Sequence, residues 1–119
     1  MSQLQKLKQL LEDNRPHSTY EICDVVYGDS HLGVARIGAR AWDLNHKQNF
    51  RIVGWKDTGN PTLYWYVHIP FEMAHLFDEA IKLGKSEREA YYEARQKMSQ
   101  MPAKQVSLFE QKNGETLNV

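Results

Sequence analysis

Leu4, Leu7, Leu10 and Leu11 fall on one side of a helix with Lys and Gln opposite, and this stripe predicts a first helix at the start of the chain. It ends by Asn14, because Pro16 disfavours helical backbone in the residue before it. Ser18 followed three positions later by Glu21 forms a capping-box pattern, which opens a second helix at Thr19. That helix carries Ile22, Cys23 and Val26 inward until Gly28 stops it. Ser30 can cap a third helix, with Val34, Ile37, Ala41 and Leu44 on one face and Arg36, Arg40, Asp43 and Lys47 on the other. Trp42 is expected to join the inward side.

From Phe50 the period changes to that of a strand, which runs through Trp55. Lys56-Asp57-Thr58-Gly59-Asn60-Pro61 reads as a turn, and Leu63 to Ile69 as a second strand, so the pair forms a hairpin. Strands alternate faces, so one set of its aromatics (Trp55, Trp65, Tyr64, Tyr66) is expected to point outward, cross-pairing to hold a two-stranded unit. Residues 71 to 83 return to a helical pattern through Met73, Leu76, Phe77, Ala80 and Ile81, with Gly84 placed to end it. Ser86 and Glu89 repeat the capping-box spacing and open a last helix, whose Ala90, Ala94 and Met98 can pack on the previous one. After Met101 the chain turns polar, and a flexible tail is expected.

The pattern therefore predicts an α+β chain of three parts: residues 1–70, a two-helix extension over 71–100, and a tail over 101–119. At 119 residues, 41% of them apolar, the chain is one domain's worth and excludes a multidomain enzyme. Fifteen basic residues balance fifteen acidic ones, so net charge selects no partner. The basic character is local: across residues 30 to 69, Arg36, Arg40, Lys47, Arg51 and Lys56 face only Asp43 and Asp57. The longest apolar run, Leu63 to Ile69, is far short of the roughly 20 residues that a membrane span needs. No membrane partner and no signal peptide are expected. The single Cys23 cannot form an internal disulfide and reads as a small core hydrophobe, so a reducing cytoplasm is the expected compartment.

Three short helices followed by a hairpin give the order of elements in a winged helix-turn-helix. The run Gly33-Val34-Ala35-Arg36-Ile37 through Ala41-Trp42-Asp43-Leu44 resembles the recognition helix of that family, as found in small bacteriophage and mobile-element proteins. The resemblance covers residues 2 to 69. It implies a third helix in the major groove of double-stranded DNA, with Arg36, Arg40 and Lys47 on its outer face, and a wing that lays Lys56 and Asn60 beside a phosphate. Arg51 completes the expected DNA-binding set. Arg36 and Arg40 stand one turn apart, so both guanidinium groups can reach one groove, where Arg bonds guanine through two parallel donors.

In the tail, Gln105-Val106-Ser107-Leu108-Phe109 resembles the pentapeptide by which bacterial replication and repair proteins bind the sliding clamp, with Val in place of Leu at the second position. A chance match of this quality should occur roughly once in a few hundred chains of this length. The resemblance implies that Leu108 and Phe109 fill an apolar clamp pocket, Gln105 supplies orienting hydrogen bonds, and Val106 and Ser107 act as spacers. A rival expectation has Leu108 and Phe109 fold back onto the domain as a hydrophobic clip.

Nothing in the chain reads as catalytic, and neither cofactor nor metal is expected. Gly84-Lys85-Ser86 lacks the upstream glycine of a phosphate-binding loop, where Glu79 stands instead. Glu72, His75 and Glu79 share a helix face without a second ligand pair and read as solvated. The sequence thus points to a non-enzymatic DNA-binding adaptor of a bacterial or phage replication system, in the bacterial cytoplasm or a phage-infected host cell. Two rivals stand beside it. One is a transcriptional regulator that forms a homodimer through residues 71–100, and the other is a replication inhibitor that binds protein and not DNA.

Overall fold

The computed structural model describes residues 2–28 and 34–100, apart from the side chains of 34 and 35. Among these, α1 spans Gln3–Leu11, β1 His17–Ser18 and α2 Thr19–Ile22, which continues as a π-helical turn over Cys23–Tyr27. Then follow α3 (Val34–Lys47), β2 (Ile52–Lys56), β3 (Tyr64–His68), α4 (Phe71–Lys82) and α5 (Glu87–Gln100). The fold is α+β, with a small antiparallel sheet in the order β1-β3-β2.

Short-range chemistry bounds several of the described helix ends. Ser2 and Gln5 exchange reciprocal side-chain-to-backbone hydrogen bonds at the start of α1, both 3.1 Å. Asn14, in the left-handed region at φ 60°, follows its end, and Gly28 at φ 70° closes the π-helical turn. Ser18 caps α2 by accepting from the Glu21 amide at 3.2 Å. The Glu21 carboxylate is turned instead to His17, whose Nδ1 lies 2.9 Å away. At the other end of α3, the Phe50 amide donates to Leu44 O and Asn49 takes φ 51°, so the chain reverses into β2 through a left-handed residue. Gly84, at φ 91°, performs the same reversal between α4 and α5.

The sheet is the middle of three layers. One face packs on α1, α2 and α3 through Leu7, Leu11, Ile22, Cys23, Ile37, Leu44, Phe50 and Ile52, with Tyr66 alongside. The register sets Trp55 opposite Trp65 and Val53 opposite Val67, and that face packs on Met73, Phe77, Ala80, Ala90, Tyr91 and Ala94 of α4 and α5. The hairpin therefore differs from the expected two-stranded unit with one outward set of aromatics. It gains a third strand through His17↔Tyr66 and Ser18↔Trp65, and both aromatic sets are at least partly covered. Tyr64 and Tyr66 lie with ring centroids 5.0 Å apart, and Gly54 leaves them room. A Cβ at Gly54 would come within 2.5 Å of the Tyr64 ring and 2.7 Å of Trp65 O.

Two contacts lock the layers. Arg51 makes a bidentate pair with Asp78 of α4 at 2.8 and 3.2 Å and lies over the Phe77 ring. The Tyr91 hydroxyl donates to Asn14 O at 2.6 Å, while Asn14 Oδ1 accepts from His68 Nδ1 at 2.7 Å, so one left-handed residue joins α1, β3 and α5.

Trp42 departs from the inward placement. It is 54% exposed, and its indole stacks on His46 with centroids 4.2 Å apart. The reason is angular: at about 100° per residue, Trp42 stands about 140–160° around α3 from Ile37 and Leu44, which are fully buried.

Candidate nucleic-acid interface

α3 is the one element that bears both a buried row and a broad open side rich in expected site residues. Ile37, Ala41 and Leu44 are buried. Directly opposite lie Ala39, Trp42 and His46, with Gly38 beside them, all exposed. The basic residues form an edge, not the centre, of this open side: Arg36, Arg40 and Lys47 run down one flank with Asp43 between them. Asp43 reaches Arg40 at 3.5 Å and Lys47 at 3.6 Å. Such pairs along a helix surface are worth only about 0.2–0.5 kcal/mol to the helix, so either cation can turn to another anion at little cost.

Asn45 fixes where the hairpin stands relative to α3. Its Nδ2 donates to Ala41 O and to Ile52 O, at 3.0 and 3.1 Å, and its Oδ1 accepts from the Ile52 amide at 2.9 Å. A single amide thus ties the last turns of the helix to the first residue of β2. Lys56 is exposed at the far end of that strand, about 13 Å along it at the usual rise per residue. The turn beyond is internally bonded. Asp57 Oδ2 accepts from the Gly59 and Asn60 amides, each at 2.9 Å, and Asp57 Oδ1 accepts from Trp65 Nε1 at 3.0 Å. The indole N–H and these amides hold the Asp57 carboxyl below the usual carboxylate range. Asn60 is exposed at the tip, with its Oδ1 accepting from the Thr62 amide and hydroxyl.

The expected DNA-binding set therefore divides. Arg36, Arg40 and Lys47 share one edge of α3, and Lys56 and Asn60 share the hairpin tip. Arg51 stands apart, pointed at α4 and paired with Asp78, whose pKa its guanidinium lowers. Gln105, Ser107, Leu108 and Phe109 lie outside the described residues, as does Ser30. Sequence reasoning passed over Gly38, Ala39, Trp42 and His46. The signal was present in the helical period, which sets Trp42 opposite Leu44, but an aromatic in an amphipathic helix is ordinarily assigned to the core.

Elsewhere the chemistry is structural. His17 is buried, with Nε2 2.9 Å from both Asp13 oxygens and Glu21 Oε2 close to Nδ1 but off the line of a good hydrogen bond. Burial opposes charge on this ring, yet the two carboxylates outweigh it and hold its pKa above the ordinary imidazole value. His68 is stacked on Phe50 with centroids 3.8 Å apart, and burial holds its pKa below that value. His75 and Glu79 are exposed and 3.4 Å apart. Among the described residues no cluster of three metal-ligating side chains occurs, and no helix is long and apolar enough to cross a membrane. In comparisons with known proteins, no family model, no curated protein and no solved structure matches the chain.

Proposed function

We propose that this chain is a winged helix-turn-helix protein that binds duplex DNA through α3 and the β2–β3 tip. It would act as a non-enzymatic adaptor of a bacterial or phage replication system, holding the sliding clamp through Gln105, Ser107, Leu108 and Phe109. The observation that carries the DNA half is the asymmetry of α3, which buries Ile37, Ala41 and Leu44 and leaves an open side edged by Arg36, Arg40 and Lys47. Such a helix meets the needs of groove binding, with cations at the margin for phosphates and a protruding centre for base edges. The amide clamp of Asn45 supports the reading further, because it holds helix and hairpin at one fixed separation. Arg51 is left out of the contact set, since its guanidinium serves Asp78. The clamp half rests on the pentapeptide alone. One chain holding DNA and clamp together gains avidity, because a domain already on the duplex presents its tail at high effective concentration.

Fluorescence anisotropy on a labelled duplex between 50 and 200 mM salt tests the DNA half. Four phosphate contacts, from Arg36, Arg40, Lys47 and Lys56, should give a log–log slope of about −3.6. The triple variant Arg36→Ala, Arg40→Ala, Lys47→Ala should flatten it by about 2.7, leaving the share of Lys56. A flat wild-type profile, or a slope unchanged in the variant, would sink this half. Calorimetry with a purified bacterial sliding clamp tests the other, with binding expected for the full chain and lost in Leu108→Ala, Phe109→Ala. Absence of heat with the wild type would remove the clamp partner and leave DNA binding standing.

A further inference from the structure

The open side of α3 carries an oddity that packing does not explain. Gly38 sits inside a 14-residue helix at an exposed position, and a Cβ built on it meets nothing within 4 Å. Glycine at such a site destabilises a helix relative to alanine, and no atom of the described chain requires its absence of a side chain. Beside it are the small Ala39 and the Trp42–His46 stack. Together they form an exposed apolar patch, low at the bare backbone of Gly38 and the small Ala39 and raised at the indole.

His46 adds one polar feature of defined sense. Its Nδ1 lies 2.9 Å from Trp42 O, and a carbonyl only accepts, so Nδ1 carries the proton. In the neutral ring Nε2 is then the acceptor, on the imidazole that stacks against the indole. An apolar seat, one acceptor next to it and cations along one flank together describe a partner with an apolar projection, an adjacent N–H donor and a line of negative charge. In the major groove of duplex DNA, a T·A pair presents the thymine 5-methyl group and the adenine N6 amine, between phosphate rails.

Resting on the DNA-binding reading above, we propose that α3 reads sequence through this patch and not through its arginines: Gly38, Ala39 and Trp42 receive a thymine methyl, and His46 Nε2 accepts from an adenine N6 amine. Arg36, Arg40 and Lys47 then hold phosphates and set affinity. The preferred site contains a T·A step at the position that α3 faces.

The test uses the full chain. A preferred duplex is first selected from a randomised pool, and each thymine is then replaced in turn by deoxyuridine, which lacks only the methyl group. Each adenine is likewise replaced by 2-aminopurine, which lacks the N6 amine. Wild-type binding should fall several-fold at one thymine and at one adenine. Trp42→Ala should lose the thymine effect and His46→Ala the adenine effect, each keeping the wild-type salt slope. Gly38→Ala should raise the Tm while weakening binding to the selected site, opposite signs that a purely structural role for this glycine would not give. Tight binding of every duplex alike would overturn the patch reading and leave DNA binding intact. So would site preference retained in Trp42→Ala, the result expected if the stack docks on protein. Failure of the wild type to bind any duplex at low salt would overturn both.

Discussion

The two faces of the sheet are covered by cores built on different plans. Toward α1, α2 and α3 the buried side chains are mostly aliphatic and of similar size, with Leu7, Leu11, Ile22, Ile37 and Leu44 all fully buried. Toward α4 and α5 they are mixed in size: the large rings of Trp55, Phe77 and Tyr91 pack with Val67, Ile69 and Met73 beside the small Ala80, Ala90 and Ala94. The alanines take up little space, so the three rings supply a large share of the volume. The aliphatic core spreads its contacts over many side chains and three helices, whereas the aromatic one concentrates them in a few. A large ring removed from the second face leaves a hole that its small neighbours cannot fill.

The sharpest test of that contrast is a pair of truncations read by urea denaturation. Phe77→Ala should destabilise by about 3–5 kcal/mol, near the top of the range for buried aromatics, while Leu44→Ala should fall within about 2–5 kcal/mol with a smaller residual cavity. A larger loss at Leu44 would reverse the assignment of which core is less forgiving. Next in size is Tyr91→Phe, which keeps the ring but removes the donor to Asn14 O and leaves that carbonyl short of a partner. A cost of about 1–2 kcal/mol is expected. If Tyr91→Phe is neutral, the second core depends on volume alone.

Trp42→Ala should change stability by no more than about 0.5 kcal/mol in the same assay, because the indole is on the surface and not in either core. A cost of several kcal/mol would restore the inward placement that the sequence suggested. The smallest expected effect is one of pH, and it separates two histidines within the sheet. His17 has a raised folded-state pKa, so its contribution is fully present below the unfolded value of about 6.5 and is lost as pH rises through the folded value. His68 has a lowered one, so stability is present above about 6.5 and falls as acid protonates the unfolded chain more readily than the folded one. Stability profiles of His17→Gln and His68→Gln from pH 5 to 8 should therefore differ from wild type in opposite directions, the first most at the acid end and the second most at the alkaline end. Parallel profiles would show that neither ring changes charge on unfolding.

The parts legible in the sequence are those set by neighbours in the chain. The leucine stripe of α1, Ser18 before α2, the buried row of α3, the hairpin and the Gly84 reversal all follow from local periodicity and capping. The parts that were not legible depend on distant residues. β1 has only two residues, and its identity as a strand comes from pairing with Tyr66 and Trp65, almost fifty positions away. Arg51 looked like a surface cation because its partner, Asp78, sits 27 residues downstream on another element. The covering of both sheet faces was hidden for the same reason, since alternation along a strand cannot say what lies over either side. Of the candidate interface, the basic edge of α3 was legible as residues, but its place as a flank became visible only once the buried row fixed the helix's rotation.

Asn45 has a consequence for solubility. The Ile69 amide bonds to Arg51 O, so the antiparallel alternation turns the amide and carbonyl of Ile52 away from β3, toward the open margin of the sheet. Those are the two groups that Asn45 occupies. The side chain imitates one residue of an additional strand and stops the ladder there, leaving only Gly54 and Lys56 outward-facing along β2. At the opposite margin β1 is just two residues long. Among the described residues, neither margin offers a foreign strand enough backbone to add on, which guards the sheet against edge-to-edge aggregation.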